Sequence, residues 1–544
     1  MSVEIAAMLK RMQDLPFAER KIRFAALLET HGVIETFASI YEAWGAFPPV
    51  SFLKSLRDFD LFPPHKTKQI KTIGIVTRHF GNGGIERVTE KQLELFRKMG
   101  IKCVFFTEKK YIPGETFPEI TDDITHIVLP AEQDCRKRAA LLSRTIEKEQ
   151  IDLLLFPFMS VLYSLMDSAV ARIIHKIPCL LHFHNTALLY LLNSTAGRVL
   201  EKRALIQSCF NLNLVLSPFD AAYFNFSGAK SYYLPNPAYF PCVQRPVQPR
   251  RRKVLWLARM VDEKNPREAV QICRILAGKI PDVQVIMVGG GVCLEETMAE
   301  AQKLGMEDRI TFTGADFDCR KYYLDADVFL TTSEIEGFPM TLVEALSAGL
   351  PVVAYELPYL PPLCDENKGI VTVPMYDTFA AADAIVKLLE DDEHYADMSR
   401  KALKQAEKYC NFDFEAEWQK IFEAVCTDQI DSLIAPYVSQ DKNFRTFLQN
   451  FFLYLPIGSD KLIQKIKDPL NTKIRELTAA QTEAGNRIAE QEAQITALNA
   501  RVAELSQPWL KRKIKGGIRC LREHGFIYTV KRLFQKIGNK LCRK

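Results

Sequence analysis

Residues 334–353 read EIEGFPMTLVEALSAGLPVV, and the punctuation of this stretch decides the fold. Pro339 suits the first position of a helix and Gly349 the residue just past its end, so a short helix is expected between them. Val352, Val353 and Ala354 then read as a buried strand. The unit is loop, helix, tight turn, strand, with a carboxylate in the loop (Glu336) and another in the early turns of the helix (Glu344). A negative charge placed there gains about 0.3–1 kcal/mol from the helix dipole, which by itself accounts for Glu344.

The same alternation extends in both directions. Upstream, KVLWLA, VQVIMVG, RITFTG and DVFLTT read as strands with helices between them. Before a basic, proline-rich stretch at 241–253 (PCVQRPVQPRRRK), an earlier series runs KTIGIVT, IKCVFFT, ITHIVL, IDLLLF, PCLLHFH and LNLVLS. Short apolar strands alternating with helices imply parallel sheets covered on both faces, and the restart after the prolines implies two similar α/β domains. A helix around Phe412–Val425 is expected to close the second. Residues 1–66 read as a helical extension punctuated by Pro-Pro at 48–49 and 63–64. The expected organisation is therefore 1–66 helical, 67–245 and 246–428 Rossmann-like, 429–469 a helical connector, 470–507 a coiled coil and 508–544 a basic tail.

With 544 residues, 48% hydrophobic and 25% charged, the chain has ordinary globular composition and material for several domains. Thirteen cysteines without a C-x-x-C pair read as reduced thiols of a cytosolic protein, not a disulfide frame or a zinc site. Charges interrupt the N-terminal apolar stretches, so no signal peptide is expected. The most apolar run, 153–166, is shorter than the roughly 20 residues of a membrane span and contains Pro157.

Three loops carry chemistry. RHFGNGGIERV (78–88) sets Gly81, Gly83 and Gly84 between a strand and a helix, where free backbone N–H groups and the dipole favour a phosphate; a plain tight turn would use the same glycines. The spacing is not G-x-G-x-x-G, which speaks against a dinucleotide cofactor. LARMVDEKNP supplies Arg259 at a strand end and Lys264 five residues on, a fork and a point charge suited to a diphosphate, although solvated loop charges look the same. HFHN puts His184 and Asn185 at another strand end. The Asp-x-Asp pairs at 316–318 and 325–327 invite a metal; Asp327 is better explained as opening a buried strand, and no metal is expected.

Taken together, GGIERV, HFHN, YLPNP (233–237), LAR…DEK and above all EGFPMTLVEALSAGLPVV resemble the retaining GT-B glycosyltransferases of family 4, over about residues 70–425. Ala258 departs from the glycine usual before the arginine. The resemblance implies two Rossmann-like domains facing a cleft. It implies Arg259 and Lys264 on the donor diphosphate, Glu344 on the ribose hydroxyls, and Glu336 with Gly337 and Phe338 on the donor sugar. Gly83 and Gly84 would approach the phosphates, and His184 the reaction centre. It also implies transfer from a nucleoside-diphosphate sugar to a glycan or lipid-linked acceptor, with retention and without a cofactor or metal. A nucleotide-sugar isomerase on the same architecture and a non-catalytic scaffold are the rival readings.

Outside the resemblance, Ile474, Leu477, Gln481, Ala484, Ile488, Gln491, Ile495, Leu498, Val502 and Leu505 keep an unbroken heptad, so self-association through 474–505 is expected. Between 508 and 544 stand twelve Lys or Arg and one acid, Glu523, more than the whole chain's net charge of +5. Leu510, Ile514, Ile518 and Leu521, then Phe526, Val530, Leu533, Ile537 and Leu541, recur at helical spacing, giving two basic amphipathic helices. An anionic membrane surface, another protein face and nucleic acid are the possible partners; the membrane fits best, and the absence of interleaved aromatics speaks against nucleic acid. The expected location is the cytoplasmic face of the plasma membrane, in surface polysaccharide synthesis.

Overall fold

The computed structural model describes residues 2–438 except 46–47, 79–82, 110–120, 122, 131–134, 158–162, 188–196, 244–250, 317 and 358–368. The expected coiled coil and basic tail lie outside the described residues, as does most of the expected 429–469 connector.

Thirteen strands form two wholly parallel sheets. In the first lobe these are β1 (Thr72–Val76), β2 (Lys102–Thr107), β3 (Thr125–Val128), β4 (Leu153–Phe156), β5 (Cys179–Phe183), β6 (Leu212–Val215) and β7 (Ser231–Tyr233). Their order is β3-β2-β1-β4-β5-β6-β7. In the second they are β8 (Lys253–Leu257), β9 (Gln284–Val288), β10 (Ile310–Gly314), β11 (Val328–Thr331), β12 (Val352–Tyr355) and β13 (Ile370–Val373), ordered β10-β9-β8-β11-β12-β13. β1, β4, β5, β6 and β12 are buried along their whole length, which is why they read as mostly apolar runs without polar alternation. In both sheets the order reverses beside the first strand, at β1/β4 and at β8/β11. A crevice outside the carboxyl ends opens at such a reversal, and ligands of open α/β sheets settle there.

The stretch at 334–353 folds as loop, helix Met340–Ser347 and strand β12. Pro339 caps the helix from outside instead of occupying its first position, with ψ at 89°, so the helix starts one residue later than expected. Gly349 does end it, at φ 66°, where a side chain would be strained and a Cβ would also meet Leu403 at 3.3 Å.

Two edge strands escaped the sequence. β7 has three residues, too few to show a period, and β13 is buried only at its ends. A larger correction concerns the helix expected to close the second domain. The chain does form a helix, Phe414–Cys426, but its Trp418, Ile421, Phe422 and Val425 join the core of the first lobe, with the Trp418 ring set edge-on against Phe96 at 4.9 Å. Ile430, Leu433 and Ile434 continue this packing, so the second domain does not run to residue 428. Helix Asp392–Cys410 still belongs to the second lobe through Met398, Ala402, Ala406 and Tyr409. The chain thus crosses between lobes twice, after β7 and again at 411–413. Trp418 exposes 1% of its surface, and burying such a side chain is worth about 3 kcal/mol.

The N-terminal extension is helical as expected: Ser2–Met12, Phe17–Trp44 and Val50–Asp58. It is tied to the first lobe by Arg136, which bonds Glu35 at 2.7 Å and Glu42 at 2.8 Å. Among the described residues no helix is long and apolar enough to cross a membrane.

Candidate functional site

The two reversals bring the expected loops to one cleft. β1 leads, through the glycine loop, into helix Gly84–Lys98; β8 leads into Arg259 and the short turn Asp262–Lys264. Three contacts join the lobes there. A Cβ on Gly337 would meet the His184 carbonyl oxygen at 3.0 Å and Asn185 Cα at 3.4 Å, so the EGFP loop lies directly on the HFHN strand end. A Cβ on Gly84 would meet Met340 Cγ at 3.7 Å. Arg87, one turn further along the same helix, reaches Glu344 at 3.3 Å.

Lys264 is placed by the strand beside it. The Thr332 hydroxyl follows β11, accepts from Trp256 Nε1 at 2.9 Å and donates to the Lys264 and Asn265 carbonyls at 2.9 Å each. Asn265 takes a left-handed conformation (φ 49°), which Asn tolerates, and this turns the chain into helix Pro266–Lys279. So fixed, Lys264 Nζ donates to Glu336 Oε1 at 2.6 Å, both side chains mostly buried. Arg259 by contrast extends into solvent, 69% exposed, with Glu263 at 3.5 Å. Lys264 and Arg87 are thus each held at a cleft carboxylate, while Arg259 stands exposed at the rim.

Glu344 is 2% exposed. Its Oε2 accepts from the Tyr323 hydroxyl at 2.7 Å and its Oε1 from Arg87, whose guanidinium also stacks on Tyr239 at 4.6 Å. Burial raises the Glu344 pKa, and Arg87 and Tyr323 oppose that rise. A carboxylate keeps two lone pairs on each oxygen, so these partners leave it acceptor capacity.

The glycine loop differs from expectation in one respect. Its last amides were read as free for an anion, yet the Glu86 carboxylate folds back and accepts from Gly83 N at 3.1 Å. A phosphate arriving at this helix end would displace that carboxylate. Gly81 lies outside the described residues.

Among the described residues neither buried ring nitrogen of His184 has a hydrogen-bond partner, and burial pushes its pKa down to about 3. Its ring centroid lies 4.0 Å from that of His182, which is deeper still and bonds Gln92 through Nδ1 at 2.9 Å. His182 lies in β5 and His184 just past its end, two residues on, the spacing that keeps side chains on one face. Just beyond, buried Asp220 accepts from the Ala187 amide at 2.8 Å, the Thr186 hydroxyl at 3.1 Å and the Ser217 hydroxyl at 2.7 Å. Asp220 therefore holds the loop that follows His184, and burial raises its pKa to about 6.

The structure thus brings together Gly84, His184, Lys264, Glu336, Gly337 and Glu344, with Gly83 beside them. Phe338 is buried edge-on against Tyr409 at 5.5 Å, so its side chain serves the second-lobe core and only its backbone is left to the cleft. Arg87, Tyr323, Glu86, Gln92 and Asp220 were not foreseen. Arg87 and Lys91 follow Gly84 at helical spacing, and Glu86 stands three residues after Gly83 as in a capping box, both weak signals; the others have partners that the fold supplies. Asp327 is buried and accepts from the Lys253 amide at 3.0 Å, the packing role expected of it. Among the described residues no cluster of His, Cys, Asp and Glu has the form of a metal site.

Comparison with known proteins locates the strongest likeness in the second lobe. Residues 244–405 match the model of glycosyl transferases group 1. A poly(glycerol-phosphate) alpha-glucosyltransferase of Bacillus subtilis is 26% identical over 167 residues, 30% of this chain and 25% of that protein. An alpha-monoglucosyldiacylglycerol synthase of Streptococcus pneumoniae is 29% identical over 152 residues, 27% of this chain and 34% of that one. The chain spans only a quarter to a third of the length of these two relatives. In structure, HepE of Anabaena, solved with UDP and glucose, superposes with a TM-score of 0.53 at 18% identity, covering 66% of this chain and 99% of that one. The two facing lobes are a GT-B fold.

Proposed function

We propose that the protein is a glycosyltransferase that moves a sugar from a nucleoside-diphosphate donor to a glycan or lipid-linked acceptor, retaining the anomeric configuration. The observation that carries this reading is the Lys264–Glu336 pair at 2.6 Å, beside a loop whose Gly337 touches the His184 backbone of the other lobe. Fixed positive charge, a carboxylate, an uncharged imidazole and a helix N-terminus then converge where two sheets reverse.

Each group has a task in this chemistry. The departing nucleoside diphosphate gains negative charge as the glycosidic bond breaks, and Lys264 with the exposed Arg259 would stabilise it; one such preorganised donor is worth about 3 kcal/mol of barrier. These side chains would also replace a divalent cation at the leaving group. Glu336 would hold the donor sugar and face its oxocarbenium-like carbon, and Glu344 would accept from the ribose hydroxyls with its remaining lone pairs. His184, neutral at working pH, would offer a hydrogen bond to the sugar without adding a charge. Contact between Gly337 and His184 excludes water from the bond being transferred.

The parts beyond the described residues complete the proposal. The heptad at 474–505 would pair copies, and the basic tail would hold the enzyme on an anionic membrane where a lipid-linked acceptor of surface polysaccharide synthesis lies. Deletion of 508–544 is expected to abolish sedimentation with phosphatidylglycerol vesicles; unchanged sedimentation contradicts the membrane role. For the reaction, the full chain is incubated with UDP- and GDP-sugars and membrane extract, and products are followed by NMR. A new glycosidic linkage with free nucleoside diphosphate is the expected result. A rearranged sugar nucleotide formed without acceptor would instead establish the isomerase reading.

A further inference from the structure

The two chain crossings meet at a pair of thiols. Cys242 lies in the first crossing, between β7 and β8, and Cys410 is the last residue of helix Asp392–Cys410, immediately before the second. Their sulfurs stand 3.1 Å apart. Both side chains are half-buried, unlike most of the described cysteines, which are buried. We propose that Cys242 and Cys410 are a site of reversible oxidation, closing an intramolecular disulfide that ties the two crossings together.

The surroundings connect this pair to the cleft. Cys410 Sγ lies 3.4 Å from the hydroxyl of Ser347, the last residue of the helix that carries Glu344. The neighbour of Cys242, Val243, donates its amide to the Ser347 carbonyl at 2.8 Å. Both crossings therefore bear on the carboxyl end of helix Met340–Ser347. Any change in the angle between the lobes must move chain at these two crossings, because no other described segment links them. Both sulfurs pack against the second-lobe core, so a bond between them staples the incoming and outgoing segments to that lobe, beside the end of the helix that carries Glu344.

The chemistry needs a two-electron oxidant, and a peroxide supplies it. The Cys410 sulfur attacks one peroxide oxygen, the O–O bond breaks, and a sulfenic acid and one water result. The Cys242 sulfur then displaces the hydroxyl from that sulfenic sulfur, its proton leaving with the hydroxyl as a second water. Two thiols and one peroxide thus give one disulfide and two waters. Burial and the adjacent thiol push the Cys242 pKa up to about 12, which keeps it protonated until its partner has been oxidised. A bonded S–S distance is about 2.0 Å, so small side-chain rotations close the gap.

The bond is independent of the glycosyl-transfer reading; only its effect on turnover rests on it. The test treats the full-length reduced protein with hydrogen peroxide, alkylates the remaining thiols, and maps peptides by mass spectrometry with and without dithiothreitol. The expected result is a linked Cys242–Cys410 peptide, released by dithiothreitol, with two fewer alkylated thiols per chain and none of this in Cys242→Ser or Cys410→Ser. Recovery of both cysteines alkylated after oxidation, or linked only to other cysteines, overturns the site.

Discussion

Arg87 of the first lobe and Glu344 of the second are joined across the cleft at 3.3 Å, although 257 residues separate them in the chain. The pair is shielded from water, with side-chain exposures of 13% and 2%. Removing one partner of a buried pair leaves the other charge uncompensated, at about 3–5 kcal/mol in the limit of full burial. Since Arg87 keeps some contact with solvent, about half of that is expected. Burial already raises the Glu344 pKa, and Arg87 is the main opposing influence.

Arg87→Met is therefore expected to raise the Glu344 pKa further and let the carboxyl take up a proton toward neutral pH. Nucleoside-diphosphate affinity should fall about 10-fold on acidification and recover as pH rises. Calorimetric titration across pH checks this. Glu344→Gln should show no such recovery, and a pH-independent loss in Arg87→Met would contradict the coupling.

Gly337→Ala places a methyl 3.0 Å from the His184 carbonyl oxygen, tighter than carbon and oxygen tolerate. The lobes must separate slightly, so transfer should slow about 10- to 100-fold. Thermal stability should hardly change, because Gly337 itself is only partly buried and its added methyl faces the other lobe. A variant that transfers normally would show that the observed approach of the lobes is not the catalytic one.

Asp220 gives a pH dependence with a definite sign. Its pKa rises on folding from 3.8 to about 6, so the folded state holds the proton more tightly than the unfolded. The stability it contributes is fully present below about pH 4, is lost progressively up to about pH 6, and changes no further above. Urea unfolding of the wild type, relative to Asp220→Asn, should lose about 2–3 kcal/mol over that window. A flat difference would contradict it. His184, held down to about 3 by burial, is expected to show no imidazole titration between pH 5 and 8 by NMR.

Trp418→Ala should destabilise the first lobe by about 3–5 kcal/mol, because it empties a site between helix Phe414–Cys426 and Phe96. Hydrogen exchange should rise in β1 and β2 and leave β8–β12 protected. Faster exchange confined to the second lobe would contradict the packing described.

The strands buried on both faces were legible because each is a short unbroken apolar run between turn residues, as in β4 and β12. β7 and β13 were not, since edge strands of three and four residues carry no such run. Helix Phe414–Cys426 was legible as a helix, but an apolar stripe states only that it is buried, not which lobe buries it. The same limit holds in the cleft. Lys264, Glu336 and His184 stand in loops or turns, and Glu344 in a short helix, whose residue types suggest their chemistry. Arg87, Tyr323 and Gln92 matter through partners 257, 21 and 90 residues away, which only the folded chain brings near.

The central claim is that the cleft at Lys264 and Glu336 binds a nucleoside-diphosphate donor. Its most direct test is calorimetric titration of the full chain with UDP, GDP and ADP, beside Arg259→Ala and Lys264→Ala. Binding of one of the three, weakened about 10-fold or more in both variants, is the predicted result. No binding of any, or binding that ignores both substitutions, would contradict the account.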